Sequence, residues 1–441
     1  MKKIAFYQLL ILLILATIFT TSAAPFKMNK TKLEKPKKVT LDIQDKRHKL
    51  LVDGKPFYIN GAGLEFGDIA TLAKYGGNSF RTWSTENGKQ SAKEVLDEAY
   101  KNGLLVTMGI EVARERHGFD YNDEIAVNTQ YERIKREVIA LKEHPSLMIW
   151  SIGNELNLSY TNPRVWDAVN EISKMIHQVD PNHLTTTTLA GITQREVQLI
   201  KDRASDLDIL SIQMYGELSN LPHLVGDCGW EGPYMVTEWG ATGHWEVPTT
   251  SWGAPIEENS TIKAKNYLER FKAGIASDKT QCLGSYVFLW GQKQERTPTW
   301  YGVFLADGKE TESVDVMHYI WTGKWPENRS PQIHSLTLDQ KVADDNIILT
   351  ANTACIADVS ASDLDGDYLT YHWEVLYETT DLKDGGDLEA KPSAVEVKAI
   401  EKNNQRLQFV SPEKSGNYRL FVYIYDGKNH AATANIPFKV N

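Results

Sequence analysis

Cysteine is scarce: the 441 residues hold three, Cys228, Cys282 and Cys355. So small a set excludes a disulfide-framed fold and a cysteine-rich metal centre. One pairing stays open, Cys228 with Cys282, since each precedes a strand that would neighbour the other in the arrangement derived below. Three buried free thiols are the plainer alternative. Basic charge is in deficit, with 48 Lys and Arg against 58 Asp and Glu. Nucleic acid and anionic lipid both require a basic face, so neither is expected as a partner. No HExxH, no close His pair, no Gly-rich phosphate loop and no GxSxG elbow occur in the central part of the chain. Zinc hydrolysis, phosphoryl transfer and serine catalysis therefore find no motif to rest on. Repeats of 20–50 residues are also absent, which excludes a solenoid.

Long apolar runs are lacking except near the start. Lys2 and Lys3 precede the run Leu9–Phe19, and Ser22, Ala23 and Ala24 follow it. A basic start, an apolar middle and a small-residue end form a secretory signal, expected over residues 1–24 with cleavage after Ala24. The run is too short for a bilayer, which takes about 20 residues. No cysteine lies before Cys228 to carry a lipid anchor. The expectation is a secreted or periplasmic protein with no transmembrane segment, most simply a monomer. Residues 25–38 carry several lysines and little that is apolar, and are read as a linker.

What is present fits a folded chain: 41% hydrophobic and 24% charged residues, and abundant aromatics. Residues 39–59 alternate in polarity around Asp53-Gly54, a hairpin signature. A rhythm then begins. Strand candidates are Phe57–Gly61, Asn78–Trp83, Leu104–Ile110, Leu147–Asn154, Leu184–Leu189, Leu207–Tyr215, Tyr234–Trp239 and Gly284–Trp290. Amphipathic helical stretches separate them, such as Ser91–Asn102, Tyr131–His144, Arg164–Val179 and Glu257–Ser277. Strands alternating with helices give a parallel sheet, and eight such units give a closed (β/α)8 TIM barrel, here residues 39–325. At "WPENRSPQI" the rhythm stops. From 333 to 441 come short alternating runs, including Tyr368–Leu376, Gln405–Phe409 and Asn417–Tyr425. They indicate a small all-β immunoglobulin-like sandwich.

Barrel chemistry sits at the C-terminal ends of the strands. "LMIWSIGNELN" ends the fourth strand in Asn154 and Glu155, and "YMVTEWG" ends the seventh in Glu238. Two carboxylates facing each other across a pocket are what glycosidic cleavage needs: one protonated to donate to the leaving oxygen, one ionised to attack. Apolar surroundings near Trp150 and the neighbouring anion would favour the protonated form of Glu155. Glu65, Glu111 and Glu217 also fall near strand ends, where solvated loop acids are the simpler reading.

These residues carry a resemblance. "GNE" at 153–155 and "TEW" at 237–239, supported by "NSFRTWS" at 78–84 and "SYVFLWG" at 285–291, make residues 40–325 similar to glycoside hydrolase clan A barrels. The similarity is greatest to the catalytic domain of glycoside hydrolase family 2. It implies a retaining mechanism with Glu155 as acid/base and Glu238 as nucleophile, and no required cofactor. It further implies Asn154 at the sugar 2-hydroxyl, Arg81 holding the nucleophile as its anion, Tyr215 beside it, and Trp290 as the floor of the reacting sugar. The sandwich and jelly-roll domains that usually precede the family's barrel have no counterpart here, so an open, polymer-accepting cleft is expected. "YGGNSFRTWS" also resembles β-1,3-glucanosyltransferases of the clan.

Trp83, Trp239, Trp245, Trp252, Trp290 and Trp300 fall at or beyond strand ends. Indoles suit the apolar faces of sugars, and Trp83 and Trp290 are the expected platforms, with Trp239 beside the nucleophile. In the C-terminal part, "ASDLDGDYLTYHWEV" resembles the opening of PKD-like and cadherin-like sandwiches. Asp363, Asp365 and Asp367 there offer oxygen ligands suited to a structural Ca²⁺. The sum is a secreted retaining glycoside hydrolase acting on β-linked polysaccharide or oligosaccharide, a β-glucan such as β-1,3-glucan first. The alternatives are a β-glucan transglycosylase using the same two glutamates, or a non-catalytic carbohydrate-binding barrel.

Overall fold

The computed structural model describes residues 34–44, 47–402 and 405–441. The expected signal peptide and most of the linker lie outside them. No helix among the described residues is long and apolar enough to cross a membrane.

Eight parallel strands close into a barrel, each hydrogen-bonded to the next and the eighth to the first. They are Ile59–Gly63, Ser79–Arg81, Leu105–Ile110, Leu147–Asn154, Leu184–Ala190, Ile209–Gln213, Tyr234–Glu238 and Cys282–Val287. All eight expected strands are therefore present, with ends displaced by a few residues. The strands read as continuous apolar runs because parallel barrel strands are covered on both faces; Leu147–Asn154 is buried along its whole length. Helices wrap the outside. Ala92–Lys101 starts on a reciprocal cap between Ser91 and Glu94, and Glu124–Leu141 on Asp123, whose carboxylate accepts from Ile125 and Ala126 N–H. These caps satisfy amides that have no partner inside the helix.

The hairpin expected over 39–59 is a three-stranded antiparallel sheet, Val39–Gln44, Arg47–Val52 and Lys55–Phe57. Asp53 and Gly54 both have positive φ, at 49° and 75°, which matches the tight turn that joins the second strand to the third. Val39 and Leu50 pack with Met148, Ile149, Met235 and Tyr286. The sheet thus plugs the barrel at the end opposite the strand C-termini.

After the last barrel helix, Glu312–Thr322, the chain enters two packed sheets. One orders the strands Gln332–Leu338, Ala354–Ser362, Arg406–Val410 and Ala399–Lys402. The other is built on Thr370–Tyr377, Gly416–Tyr425 and His430–Val440. Strand His430–Val440 also pairs with Glu310–Thr311 of the barrel part. Buried polar contacts join the two parts further: Glu310 to His430 at 3.0 Å, Asn435 to Glu257 at 2.6 Å, and Arg419 to the Pro255 carbonyl at 2.8 Å. Cys228, Cys282 and Cys355 are all free thiols, so the Cys228–Cys282 pairing does not form.

Candidate active site

Glu238 closes the seventh strand. Its register against the sixth strand slips between Val236 and Glu238, and such an irregularity re-aims a side chain. Arg81 Nη1 donates to its Oε1 at 3.2 Å, Trp83 Nε1 to the same oxygen at 2.7 Å, and the Tyr215 hydroxyl to Oε2 at 3.0 Å. Three donors, one cationic, meet the two oxygens of a buried carboxyl, an environment fitted to an anion. Burial and the Glu238 charge push the Tyr215 hydroxyl well up, so it stays a donor. Arg81 is itself fully buried and reaches the fourth strand as well, donating from Nη2 to Asn154 Oδ1 at 2.8 Å.

Glu155 follows the fourth strand on a twisted backbone. Gly153 has φ +75° and Glu155 φ +50°. A side chain at 153 would strike Leu156 at 2.6 Å, so the glycine of the GNE string is required by both conformation and space. Positive φ at a glutamate is uncommon, and such strain gathers at functional sites. The backbone N–H of Glu155 donates to the Thr188 carbonyl at 3.1 Å. Its carboxyl has no hydrogen-bond partner among the described residues. Burial first, and the Glu238 anion second, push it up to about 7; Arg116, Arg114 and Arg81 oppose this. Trp150 is fully buried and donates its Nε1 to Asp180 at 2.8 Å.

Asn154 Oδ1 accepts from Arg81, from Gln213 Nε2 at 2.8 Å and from Thr188 Oγ1 at 3.2 Å. With its oxygen so occupied, the amide nitrogen is left as a donor. Gln213 was not singled out in the sequence, although it lies two residues before Tyr215.

Of the six tryptophans, Trp252 is half-buried in the loop after the seventh strand, and the other five separate by position. Trp83 is a hydrogen-bond donor to Glu238, and its ring stands edge-on to Phe288 with 5.8 Å between centroids. Trp239 is fully buried, turned from the mouth onto Tyr267 and Phe271. Trp290 is fully buried too, among Tyr75, Phe304 and Trp321. Neither exposes a face to a sugar, which corrects the expectation for both. Trp239 directly follows the inward Glu238, so strand alternation turns it outward, whereas Trp290 lies beyond the end of the eighth strand, Cys282–Val287, where the chain has left the barrel. Phe288 instead stands with its ring edge-on to Trp83, Tyr215 and Tyr301. Trp300 is buried and donates to the Thr242 carbonyl. Trp245 is 60% exposed, with its ring 5.6 Å from that of Tyr215; it is the free aromatic face at the mouth.

Replacing Trp83 by Phe removes one N–H to a charged acceptor and keeps the ring. A loss of about 1.5–3 kcal/mol is expected, read as a ten- to hundred-fold fall in kcat/KM on an aryl glycoside with little change in Tm. A variant as active as wild type would show that the contact does not matter to the reaction.

Fold and site together define a (β/α)8 barrel with two glutamates of unlike environment at one mouth, the arrangement of a glycoside hydrolase catalytic domain. Residues 66–251 match the model of the glycosyl hydrolases family 2, TIM barrel domain, so the resemblance to that family holds. Among solved structures, Bacteroides uniformis β-glucuronidase 2 covalently bound to cyclophellitol-6-carboxylate aziridine is similar at TM-score 0.52 and 14% identity. That likeness covers 91% of this chain and 48% of the other. A calcium-binding mutant of the same enzyme gives 0.50, 14%, 91% and 48%. β-D-Glucuronidase of Dictyoglomus thermophilum gives 0.50, 18%, 66% and 54%. At such identities the likeness is one of fold. The chain spans about half the length of these structures.

Proposed function

We propose that the protein is a retaining β-glycosidase, with Glu238 as nucleophile and Glu155 as acid/base. The observation that carries this is the inequality of the two carboxyls. Glu238 is held by three donors, while Glu155 has none and is pushed up to about 7. In the first step a Glu238 oxygen attacks the anomeric carbon as the glycosidic C–O bond breaks, and the Glu155 proton passes to the leaving oxygen. In the second, water attacks that carbon, its proton goes to Glu155, and the Glu238 carboxylate leaves. On this reading Asn154 Nδ2 donates to a sugar hydroxyl, and Phe288 and Trp245 cover apolar sugar faces.

The substrate class is a β-linked saccharide. Rim cations are matched by acids, Arg116 by Asp387, Lys293 by Glu295 and Arg296 by Glu389, which favours a neutral sugar such as a β-glucan unit. The named neighbours make β-glucuronides the second class to test. Hydrolysis of aryl β-glycosides and β-glucans by the full-length protein, with ¹H NMR showing the β-anomer as first product, is the expected result. No turnover of any β-glycoside, or a first-formed α-anomer, would overturn the reading. The N-terminal signal belongs to this proposal: a mature chain beginning at Pro25 in the exported fraction is expected.

Calcium has a candidate seat in the sandwich, though not the expected trio. Asp365 turns away to accept from the Arg329 N–H at 2.6 Å. Asp363, Asp367 and Asp426 instead bring ligand atoms within 4.8 Å of one another. Asp363 Oδ2 and Asp367 Oδ2 are buried without partners, although Lys428 already pairs with Asp367 at 2.7 Å. A cation bound there at a hundred times its Kd adds about 2.7 kcal/mol. Calcium is expected to raise Tm by several degrees over EDTA and to do so less for Asp367→Asn; identical melting curves would dismiss the site.

A further inference from the structure

Between sandwich strands Thr370–Tyr377 and Ala399–Lys402 runs a long connection, residues 378–398. Connections of this length without strands or helices of their own are usually functional. This one crosses to the barrel and lies over the ends of its strands. Arg116 Nη2, in the loop after the third strand, reaches the Gly385 carbonyl and Asp387, both at 3.5 Å. His117 Nε2 lies 3.0 Å from Asp387 Oδ2. In the loop after the eighth strand, Lys293 Nζ donates to the Gly386 carbonyl at 2.5 Å. Arg296 is clasped by Glu389: its backbone N–H donates to Oε2 at 2.6 Å and Nη1 to Oε1 at 3.0 Å, while Nη2 reaches the Lys383 carbonyl at 3.2 Å. Glu389 is 3% exposed. The approach is close, since a side chain at Gly385 would strike Arg116 and Leu158.

The barrel loops so gripped carry the site. Arg114 Nε, two residues from Arg116, donates to the Asn154 carbonyl at 3.1 Å. Lys293 lies 5.6 Å from the Phe288 ring. Arg296 Nη2 donates to His244 Nε2 at 2.9 Å, and His244 Nδ1 meets the Tyr301 hydroxyl at 2.9 Å. Burial holds His244 down at about 4, so it stays neutral and can accept from Arg296. The Tyr301 ring packs 5.6 Å from that of Tyr215, which binds Glu238. One segment of the sandwich therefore touches loops from the third, fourth and eighth strands, on opposite sides of the mouth.

We propose that residues 383–389 of the sandwich form a wall of the substrate mouth, converting the cleft into a pocket that takes the ends of saccharide chains and excludes their interior. The kind of substrate end rests on the glycosidase reading; the wall itself does not. Its occupant is a terminal β-linked sugar, and its anchors are Glu389 and Asp387.

Two variants test it: Glu389→Ala, and replacement of residues 383–388 by a Gly-Ser link, each checked by Tm. The first measurement is independent of turnover. Carbodiimide activation of Glu155 is followed by amidation with methylamine or with the bulky dansyl cadaverine, read by peptide mass spectrometry. Wild type should take methylamine and resist dansyl cadaverine, and both variants should take the bulky amine at least five-fold faster. Equal bulky labelling in all three proteins would overturn the wall. The second measurement is product length on an oligosaccharide blocked at its non-reducing end. Wild type should leave it intact and the variants should cleave it; cleavage by wild type would also overturn the proposal. Failure of every protein on unblocked aryl glycosides would refute the glycosidase reading, while the labelling result still decides the wall.

Discussion

On the proposed mechanism, in which Glu238 forms the covalent intermediate, Glu238→Ala is expected to lower kcat on aryl β-glycosides by about four orders of magnitude or more. Azide should restore part of the rate. The small anion enters where the carboxylate stood and attacks from the same face, so the product should be the α-glycosyl azide, identified by ¹H NMR. Glu238 is also the only carboxylate within 4.0 Å of the buried Arg81 among the described residues. Its removal leaves a buried cation less well matched, so Glu238→Gln, which keeps an acceptor in place, is the companion variant. It should match Glu238→Ala in lost rate and lie closer to wild type in Tm. A Glu238→Ala enzyme with wild-type turnover, or one whose azide product is the β-anomer, would remove the nucleophile assignment.

Glu155→Ala should behave differently in three ways. The rate with poor leaving groups should fall by about 10²–10⁴-fold, while a dinitrophenyl glycoside, which leaves without a proton, should lose far less from glycosylation. Azide should now give the β-glycosyl azide, since the intermediate on Glu238 still forms and is attacked from the opposite face. The pH profile supplies the third. Burial and the Glu238 anion push the Glu155 carboxyl up to about 7, and the acid works only while protonated. In wild type kcat/KM should therefore fall as pH rises through about 7. In Glu155→Ala that alkaline limb should vanish. A limb that survives the substitution would belong to another group, and the acid/base role would pass to it.

The fold was legible in the chain at the level of periodicity. Eight runs such as "LMIWSIGN" and "LTTTTLA" are short, apolar or β-branched and regularly separated by amphipathic stretches, and that pattern has few solutions. Glu155 and Glu238 were legible because they end such strands, whereas the φ of +75° at Gly153, which suits a residue without a side chain, was seen only in the structure. Trp239 and Trp290 were misread for a shared reason. Proximity to a strand end in sequence says little about which way a side chain turns where the strand gives way to a loop. Both indoles went into packed layers, and the smaller Phe288 took the place beside Trp83 and Tyr215. The acidic trio was legible in part: Asp363 and Asp367 come together, but with Asp426 rather than Asp365, and Asp426, just past the strand Gly416–Tyr425, lies far along the chain.

The string of residues by itself determined the alternation of strand and helix, hence a barrel, and the pair of acids at its mouth, since both depend on local spacing and on where parallel strands must end. Tertiary structure decided everything that needs two distant segments to meet. Arg81, Trp83 and Tyr215 converge on one carboxyl, Glu155 is left without a donor, and a sandwich loop more than 200 residues beyond Glu155 grips both sides of the mouth. Such contacts arise from close packing between surfaces whose shapes no local pattern encodes.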